Sequence, residues 1–454
     1  METLFKKLQK NNKLPMHMPG HKRKSYPYIA GMADIDITEI EGFDNLHGAS
    51  GILLKSMKNA ADLRGAKAAF YLVNGSTCGI LASVCAVLSR GDKAIVARNC
   101  HKSVYNAIET AGAEPVFVYP GISGKYGIAG SVAPEAIAKA VSENPDCRLI
   151  IITSPTYEGV ISDIEGICAI AHKHNIPVLV DAAHGAHLGF GGFSKGAVEL
   201  GADISVESLH KTLPSLTQTA VCYLSGDIVK EEKIAEKLAV FETSSPSYIL
   251  LSSIDGCINE MKKESSFKKW NEALDFFYNE AKKLKNIEIL GKQTEFFGLD
   301  ESKIVLFPEN QSGTELAGFL RKENIEPEMA APDYVICMTG AGDTKSSIKK
   351  LLAALFKADK IEKSRKIDPI TLNFPQNRAL SVFEAEKREK VLCDLKNAAG
   401  RVSAGYVWAY PPGVPVLVPG EVISEEVLET LSGYKRGGIG LYGDIKDGEI
   451  FVVK

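Results

Sequence analysis

Short apolar runs alternate with helical patterns between about Gly42 and Leu224, and this alternation constrains the fold more than any other feature. The runs are rich in Val and Ile and are bounded by turn residues, which is typical of strands covered on both faces. Repeated strand–helix–strand order predicts an α/β fold with a mostly parallel sheet. The predicted strands are 94–96, 115–119, 149–153, 178–181 and 204–207, and the predicted helices are 76–88, 102–111 and 133–142.

The rest of the chain predicts smaller units around this sheet. Residues 230–284 are helical and charged, and a second α/β unit follows in which the strands IVLF and YVICM alternate with helices over 314–322 and 346–357. A Pro- and Gly-rich block, YPPGVPVLVPGE, then precedes short strands. We therefore predict an N-terminal arm (1–40), a large domain (41–284), a small α/β domain (285–366) and a C-terminal domain (367–454).

Charge and cysteine usage exclude several classes of protein. The 454 residues carry a formal net charge of −3, so the chain lacks the basic surface that nucleic acid requires. Its longest apolar run, 79–88, is too short to span a bilayer. The nine cysteines include no CxxC pair, which favours reduced thiols and a cytoplasmic protein.

Polar, chemically capable side chains follow the predicted strands. In open parallel sheets, ligands bind beyond the carboxyl ends of the strands. All nine histidines also lie at or before position 210, in one half of the chain. We therefore expect an active site at this edge of the sheet. The segments that follow the strands are Asn74–Thr77, Arg98–Ser103, Ser154–Gly159, Asp181–His184 and Ser208–Lys211.

Two of these segments allow more than one interpretation. Ser76 and Thr77 could cap a helix, or the helix N-terminus could receive a phosphate; without GxxxxGK[ST] spacing, a nucleotide P-loop is disfavoured. Asp181 could cap a helix or bind a metal with His184 and His187. The glycines between and after these histidines argue against one helical face, so we predict no metal.

Lys211 lies where a reactive amine would be useful. It follows a strand in a Ser-x-His-Lys step and comes after Asp181, which ends another buried strand. Burial in such a crevice lowers a lysine pKa, as a Schiff-base nucleophile requires. A pyridoxal-5′-phosphate (PLP) site needs this lysine, a carboxylate for the pyridine nitrogen and a phosphate anchor. The sequence offers candidates for all three.

The same residues belong to a longer pattern. The chain closely resembles the bacterial ornithine/lysine/arginine decarboxylases, which are PLP-dependent enzymes of fold type I, and in particular their short Gram-positive type. The resemblance extends over nearly the whole chain and implies a transferase-like α/β fold with smaller α/β C-terminal domains. The matching motifs are MPGHK (18–22), DITEIEGFDNLHGASG (36–51), YLVNGST (71–77), RNCHKS (98–103), SPTYEGV (154–160), VDAAHGAHLGF (180–190), SLHKTLPSLTQ (208–218), TSSPSY (243–248), YPPGVP (410–415) and PGE (419–421).

The resemblance implies a role for each candidate residue. Lys211 would hold the cofactor as a Schiff base, Asp181 would pair with the pyridine nitrogen, and His101 would stack on the ring. His184 would lie near the oxygen side of the ring. Ser245, in TSSPSY, would reach the phosphate of a second subunit, which implies a homodimer or a higher assembly. The residues implied to hold the phosphate within one subunit are Ser76, Thr77, Ser208 and His210.

The implied reaction is decarboxylation of a basic amino acid to its amine, with arginine, lysine and ornithine all left open. Glu158 and Glu421 are candidate anchors for the substrate cation. One position departs from the family pattern: Ala182 stands where the family usually has Glu, which puts in doubt the contact that this Glu makes.

Two alternatives stay open at this stage. An aminotransferase or lyase would use the same cofactor, but an aminotransferase usually needs an arginine for the α-carboxylate. Arg321 and Arg365 lie in charged helical or linker contexts that do not suit this role. A degenerate PLP-binding regulatory protein is the other alternative, and the intact set of Lys211, Asp181 and His101 argues against it.

Overall fold

A seven-stranded sheet forms the centre of the protein in a computed structural model that describes residues 3–11, 14–16, 18–19, 21–24, 31–291, 295–362, 370–410 and 413–454. The strands up to residue 224 are β1 (Ala68–Leu72), β2 (Lys93–Ala97), β3 (Glu114–Val118), β4 (Cys147–Thr153), β5 (Val160–Ile161), β6 (Val178–Asp181), β7 (Ile204–Ser208) and β8 (Ala220–Leu224). The sheet has the order β1-β8-β7-β6-β4-β2-β3, and β5 lies outside it.

The mostly parallel sheet predicted from the sequence is confirmed, with one reversed strand. Strands β2, β3, β4, β6 and β7 pair in parallel. β8 runs antiparallel to both of its neighbours, β1 and β7. Because the other strands run in one direction, their carboxyl ends meet at one edge of the sheet.

Helices cover both faces of the sheet over two apolar cores. One core surrounds the parallel strands, and the other includes Trp270 and Tyr248. Leu4 and Leu8 of the arm join this second core through a helix that the sequence pattern did not predict. The helices up to residue 281 are α1 (Leu4–Lys10), α2 (Ile52–Arg64), α3 (Gly75–Val87), α4 (Lys102–Ala111), α5 (Pro134–Glu143), α6 (Ile164–Lys173), α7 (Leu209–Thr212), α8 (Glu231–Phe241), α9 (Tyr248–Met261) and α10 (Glu264–Ala281).

A second sheet lies beside the first. Its order is β12-β13-β11-β9, and every pair is antiparallel. β10 pairs with β5, which brings the chain around residue 300 next to the loop after β4. The elements here are β9 (Ile287–Ile289), β10 (Gly298–Leu299), β11 (Lys303–Pro308), α11 (Gly313–Lys322), β12 (Met329–Ala330), β13 (Val335–Met338) and α12 (Lys345–Ala358).

The C-terminal part forms two small sheets with a core of its own. Glu421 joins this part to the large sheet, because both of its carboxylate oxygens accept hydrogen bonds from the buried Arg98 guanidinium, at 2.8 and 2.9 Å. The domain boundaries given above stay predictions. The elements are α13 (Val382–Glu386), β14 (Lys390–Asp394), β15 (Val407–Tyr410), β16 (Pro415–Leu417), α14 (Glu425–Arg436), β17 (Gly440–Gly443), β18 (Ile445–Lys446) and β19 (Glu449–Val453).

None of the helices among the described residues combines the length and the apolar character needed to cross a membrane.

Candidate active site

A cavity of about 400 Å³ lies at the carboxyl edge of the large sheet. Each of the strands β1, β2, β4, β6 and β7 either ends at this cavity or leads into a loop or helix that lines it. The fold therefore brings residues that are far apart in sequence into one pocket. The predicted site residues that line the cavity are Ser76, His101, Asp181, His184 and Lys211.

Lys211 and His184 are in direct contact. Lys211 belongs to the short helix α7, and His184 belongs to the loop after β6. Lys211 Nζ lies 2.8 Å from His184 Nε2. Burial lowers the pKa of the Lys211 amine, and the charge of Asp181 opposes that shift. Burial, together with the charges of Lys211 and Lys303, also holds the pKa of His184 well below its ordinary value. His184 is therefore a neutral imidazole beside an amine that loses its proton more easily than an exposed lysine does.

Asp181 presents a buried carboxylate to the same cavity. It is the last residue of β6, its exposed fraction is 4%, and its Oδ1 accepts a hydrogen bond from the Ala183 N–H at 3.2 Å. Burial raises the pKa of this carboxyl, and the positive charge of Lys211 opposes the rise. A cation bound in the cavity would favour the ionised form of Asp181.

His101 lies at the start of α4, where its Nδ1 accepts a hydrogen bond from the Ser103 N–H at 3.2 Å. Burial, with contributions from Lys211 and Lys102, lowers the pKa of His101 to about 4. A Cβ placed on Gly413 would come within 3.1 Å of His101 Nε2, so the backbone there approaches the ring as only glycine allows. The ring is thus neutral and closely held.

The residues predicted to hold a phosphate lie in different surroundings. Ser76 lines the cavity in the first turn of α3, while the neighbouring Thr77 is exposed. Ser208 is fully buried at the end of β7, and its hydroxyl has no partner among the described residues. His210 is half-buried, and its Nδ1 lies 2.9 Å from the Thr219 carbonyl oxygen. Within one subunit, only Ser76 of these four lines the cavity.

Ser245 does not reach the cavity of its own subunit. It is exposed, and its N–H donates to Thr243 Oγ1 at 3.2 Å. Its predicted contact with a second subunit stays a prediction.

The sequence analysis missed most of an acidic, tyrosine-rich wall of the cavity. Each carboxylate in it accepts a hydrogen bond from a neutral group. Tyr334 donates to Glu158 at 3.0 Å, and Tyr157 donates to Glu328 at 2.8 Å. The Ile370 N–H donates to Asp333 at 3.2 Å. Burial raises the pKa of Glu158, and it raises that of Asp333 to about 6. The side chains of this wall are Tyr157, Glu158, Glu328, Asp333, Tyr334 and Tyr434.

The geometry bears on three residues that the sequence analysis singled out. The suggestion that Glu421 anchors a substrate cation is wrong, because its carboxylate is fully buried against Arg98 and does not line the cavity. Ala182, which stands where the resemblance implies Glu, is buried in the core around the large sheet and also does not line the cavity. His187, considered above as a metal ligand, is hydrogen-bonded through its Nε2 to Asp300 Oδ1 at 3.0 Å.

Comparison with known proteins gives the class to which this geometry belongs. Residues 2–309 match the family described as "Orn/Lys/Arg decarboxylase, major domain", and residues 371–435 match "Orn/Lys/Arg decarboxylase, C-terminal domain". The chain belongs to the Orn/Lys/Arg decarboxylase family.

Two relatives match over nearly their whole length. The arginine decarboxylase of Bacillus anthracis is 32% identical over 96% of this chain and 92% of its own. The arginine decarboxylase of Bacillus subtilis is 30% identical over 97% of this chain and 94% of its own.

Solved structures show the same fold at lower identity. The lysine decarboxylase of Francisella novicida superposes with a TM-score of 0.85 at 18% identity, covering all of this chain and 81% of that one. The serine palmitoyltransferase of Sphingomonas wittichii superposes with a TM-score of 0.57 at 15% identity, covering 70% of this chain and 80% of that one. The predicted α/β fold of the fold-type-I kind is confirmed.

Proposed function

We propose that this protein decarboxylates a basic amino acid with the help of PLP. One observation carries the proposal: the Lys211 amine and the Asp181 carboxylate share a cavity that is also lined by the carboxylates of the acidic wall. Lys211 and Asp181 suit the cofactor, and the carboxylates of the wall suit a substrate with a cationic side chain. The relatives named arginine decarboxylase and lysine decarboxylase support the same reaction class.

The residues present fit PLP. Several buried polar atoms at the site have no hydrogen-bond partner among the described residues, and native proteins rarely leave such atoms unpaired. They are His184 Nδ1 and Asn99 Oδ1, whose residues line the cavity, and Ser208 Oγ at the end of β7, next to the helix that carries Lys211. The phosphate and ring oxygens of a ligand would accept hydrogen bonds from His184 Nδ1 and Ser208 Oγ, and a ligand hydroxyl would donate to Asn99 Oδ1.

Lys211 would hold the cofactor as a Schiff base, Asp181 would pair with the ring nitrogen, and His101 and His184 would lie against the ring. When bound, PLP accepts the electrons released as carbon dioxide leaves. Ser245 would come from a second subunit, so we also propose a homodimer or a higher assembly. The residues proposed for the phosphate are Ser76, Thr77, Ser208 and His210.

Lys211 is our candidate for the group that returns a proton to the product carbon. Its Nζ and His184 Nε2 are 2.8 Å apart, within hydrogen-bond distance. Because the pKa of His184 lies well below its ordinary value, the imidazole accepts a hydrogen bond and does not store the proton. Because burial lowers its pKa, the Lys211 amine releases and regains a proton more readily than an exposed lysine does.

The direct test is incubation with arginine, lysine and ornithine, with carbon dioxide and agmatine, cadaverine or putrescine measured. Arginine is the first candidate, since relatives that match over almost their full length carry the name arginine decarboxylase. We expect carbon dioxide and the matching amine from at least one of the three. Silence on all three would contradict the proposal, and a keto acid product would favour an aminotransferase.

Glu158 is the proposed anchor for the substrate cation. A Glu158→Gln variant keeps the side-chain size but removes the charge, and a hydrogen bond to a charged group contributes about 1.5–3 kcal/mol. We therefore expect kcat/KM for the basic amino acid to fall by about 10- to 100-fold. Because burial raises the pKa of Glu158, wild-type binding of the substrate should weaken as the pH falls through that raised pKa, and the variant should lose this dependence.

The matched control for this prediction is Glu326→Gln. Glu326 is an exposed carboxylate of the second α/β unit that pairs with Arg321 at 2.7 Å and does not line the cavity. Its substitution should leave the kinetics unchanged. An unaltered kcat/KM in Glu158→Gln would assign the cation to another carboxylate of the wall.

A further inference from the structure

A fully buried lysine from the second sheet reaches the loop that carries His184. Lys303 begins β11, and its exposed fraction is 0%. Its ammonium donates hydrogen bonds to the His184 carbonyl oxygen at 2.8 Å, to Asp300 Oδ2 at 2.6 Å and to Ser302 Oγ at 3.1 Å. Lysine is almost never fully buried unless it is paired, so three bonds at one ammonium indicate a built site.

Asp300 extends this contact to a second residue of the same loop. Its Oδ1 lies 3.0 Å from His187 Nε2, and its backbone N–H donates to the Gly159 carbonyl oxygen at 2.8 Å. Burial lowers the pKa of His187, so the neutral ring donates its N–H to the carboxylate. The side chains of Asp300 and Lys303 therefore hold the loop after β6, and the backbone of Asp300 holds the loop after β4, which carries Glu158.

We propose that Lys303 is a positioning residue of the active site: its ammonium holds the backbone of His184 and thereby sets the imidazole against Lys211 Nζ. The imidazole and the bonded carbonyl belong to one residue, so a shift of that backbone moves the ring. The Tyr157 ring packs against the His184 imidazole, with the two ring centroids 5.0 Å apart. This inference rests on the proposed roles of Lys211 and His184.

The charge of Lys303 affects the pKa values of the groups that its hydrogen bonds position. Its positive charge lowers the pKa of both His184 and Lys211. Other groups also act on the Lys211 amine: Asp181 and Glu328 raise its pKa, while burial is the largest cause and lowers it. His101, which also lines the cavity, has its own pKa lowered first by burial and then by the charge of Lys211. Lys303 thus makes the Lys211 amine easier to deprotonate.

The test uses a double variant, Lys303→Met/Asp300→Asn, beside the single variant Lys303→Met. The single variant leaves the Asp300 carboxylate buried without its cation, which destabilises the fold. The double variant removes both charges at similar volume, and a cooperative thermal unfolding transition is the check that it is folded. Lys345→Met, on an exposed lysine of the same unit, is the matched control and should change nothing.

Two quantities are measured. The pH dependence of Lys211 reactivity toward an amine-labelling reagent in cofactor-free protein gives the pKa of that amine, and steady-state kinetics give kcat and KM in the holoenzyme. In the double variant we expect the Lys211 pKa to rise, so that labelling at neutral pH slows. We also expect kcat to fall by about 100-fold with KM little changed, because the reacting groups are displaced.

A folded double variant with a wild-type Lys211 titration and wild-type kcat would overturn the inference, because a merely structural ion pair would leave both unchanged. The inference would also be overturned if kcat fell only as far as the stability of the fold fell, while the pKa of Lys211 stayed at its wild-type value. If the wild-type protein decarboxylates no basic amino acid, the proposed function fails instead, and the titration of Lys211 still decides the role of Lys303.

Discussion

A Lys211→Ala variant is expected to lose decarboxylation by about 10³-fold or more, since a positioned proton-transfer group alone contributes about 10²- to 10⁴-fold. The substitution removes the amine that lies 2.8 Å from His184 Nε2. It removes both the proposed covalent attachment of PLP and the proposed proton donor. Amine production from the preferred substrate measures the loss, and the cofactor absorbance in the visible range should disappear with it.

Lys345→Ala is the control, because Lys345 is exposed and pairs with Glu272 at 3.6 Å, away from the cavity. It should retain the activity and the colour of the wild type. Full turnover by Lys211→Ala would overturn the proposed mechanism, whatever the product.

An Asp181→Asn variant is expected to lose about 10- to 100-fold in kcat. The carboxylate is buried in the cavity, and the amide keeps its size while removing the charge. A charge-assisted hydrogen bond of this kind contributes about 1.5–3 kcal/mol, which corresponds to that loss. Steady-state kinetics of the variant saturated with cofactor measure the effect.

A loss of kcat in Asp181→Asn can be distinguished from a loss of stability, because the pKa of Asp181 predicts how the substitution changes the stability. Burial raises the folded-state pKa of Asp181 above its unfolded value, so ionisation opposes folding as the pH rises above the unfolded pKa. Cofactor-free Asp181→Asn should therefore unfold at the wild-type temperature or above it at neutral pH. A variant with unaltered kcat, or one that loses activity only because it unfolds, would contradict the role proposed for Asp181.

Much of the site could be predicted because of how a parallel sheet is built. Asp181 and Lys211 each follow a short apolar run, and parallel strands bring their carboxyl ends to one edge. Predicted and observed helices agree closely where caps and apolar periodicity coincide, as in α4, which was predicted at 102–111. Strand β6 was likewise predicted at its observed bounds.

The acidic wall could not be predicted in the same way. Glu328, Asp333 and Tyr434 reach the cavity from the second sheet and the C-terminal part, and no periodic pattern links them to the large sheet. Glu421 was misjudged for a related reason, since its partner Arg98 lies 323 residues away in the sequence. Contacts between units depend on how the units pack, which a single sequence does not reveal.

Lys303 and the reversed strand β8 illustrate two further limits. A lysine at the start of an apolar strand is normally solvated, so nothing in the sequence distinguished Lys303 from a surface residue before its burial was known. Strand β8 contains apolar residues like its parallel neighbours, and the apolar pattern of a buried strand does not record its direction.

The most direct test of the central assignment is chemical trapping of the cofactor linkage. Holoenzyme reduced with borohydride, digested and analysed by mass spectrometry should carry a phosphopyridoxyl group on Lys211, in the segment SLHKTLPSLTQ. The same group on a different lysine, or its absence from protein that retains full decarboxylase activity, would contradict the assignment.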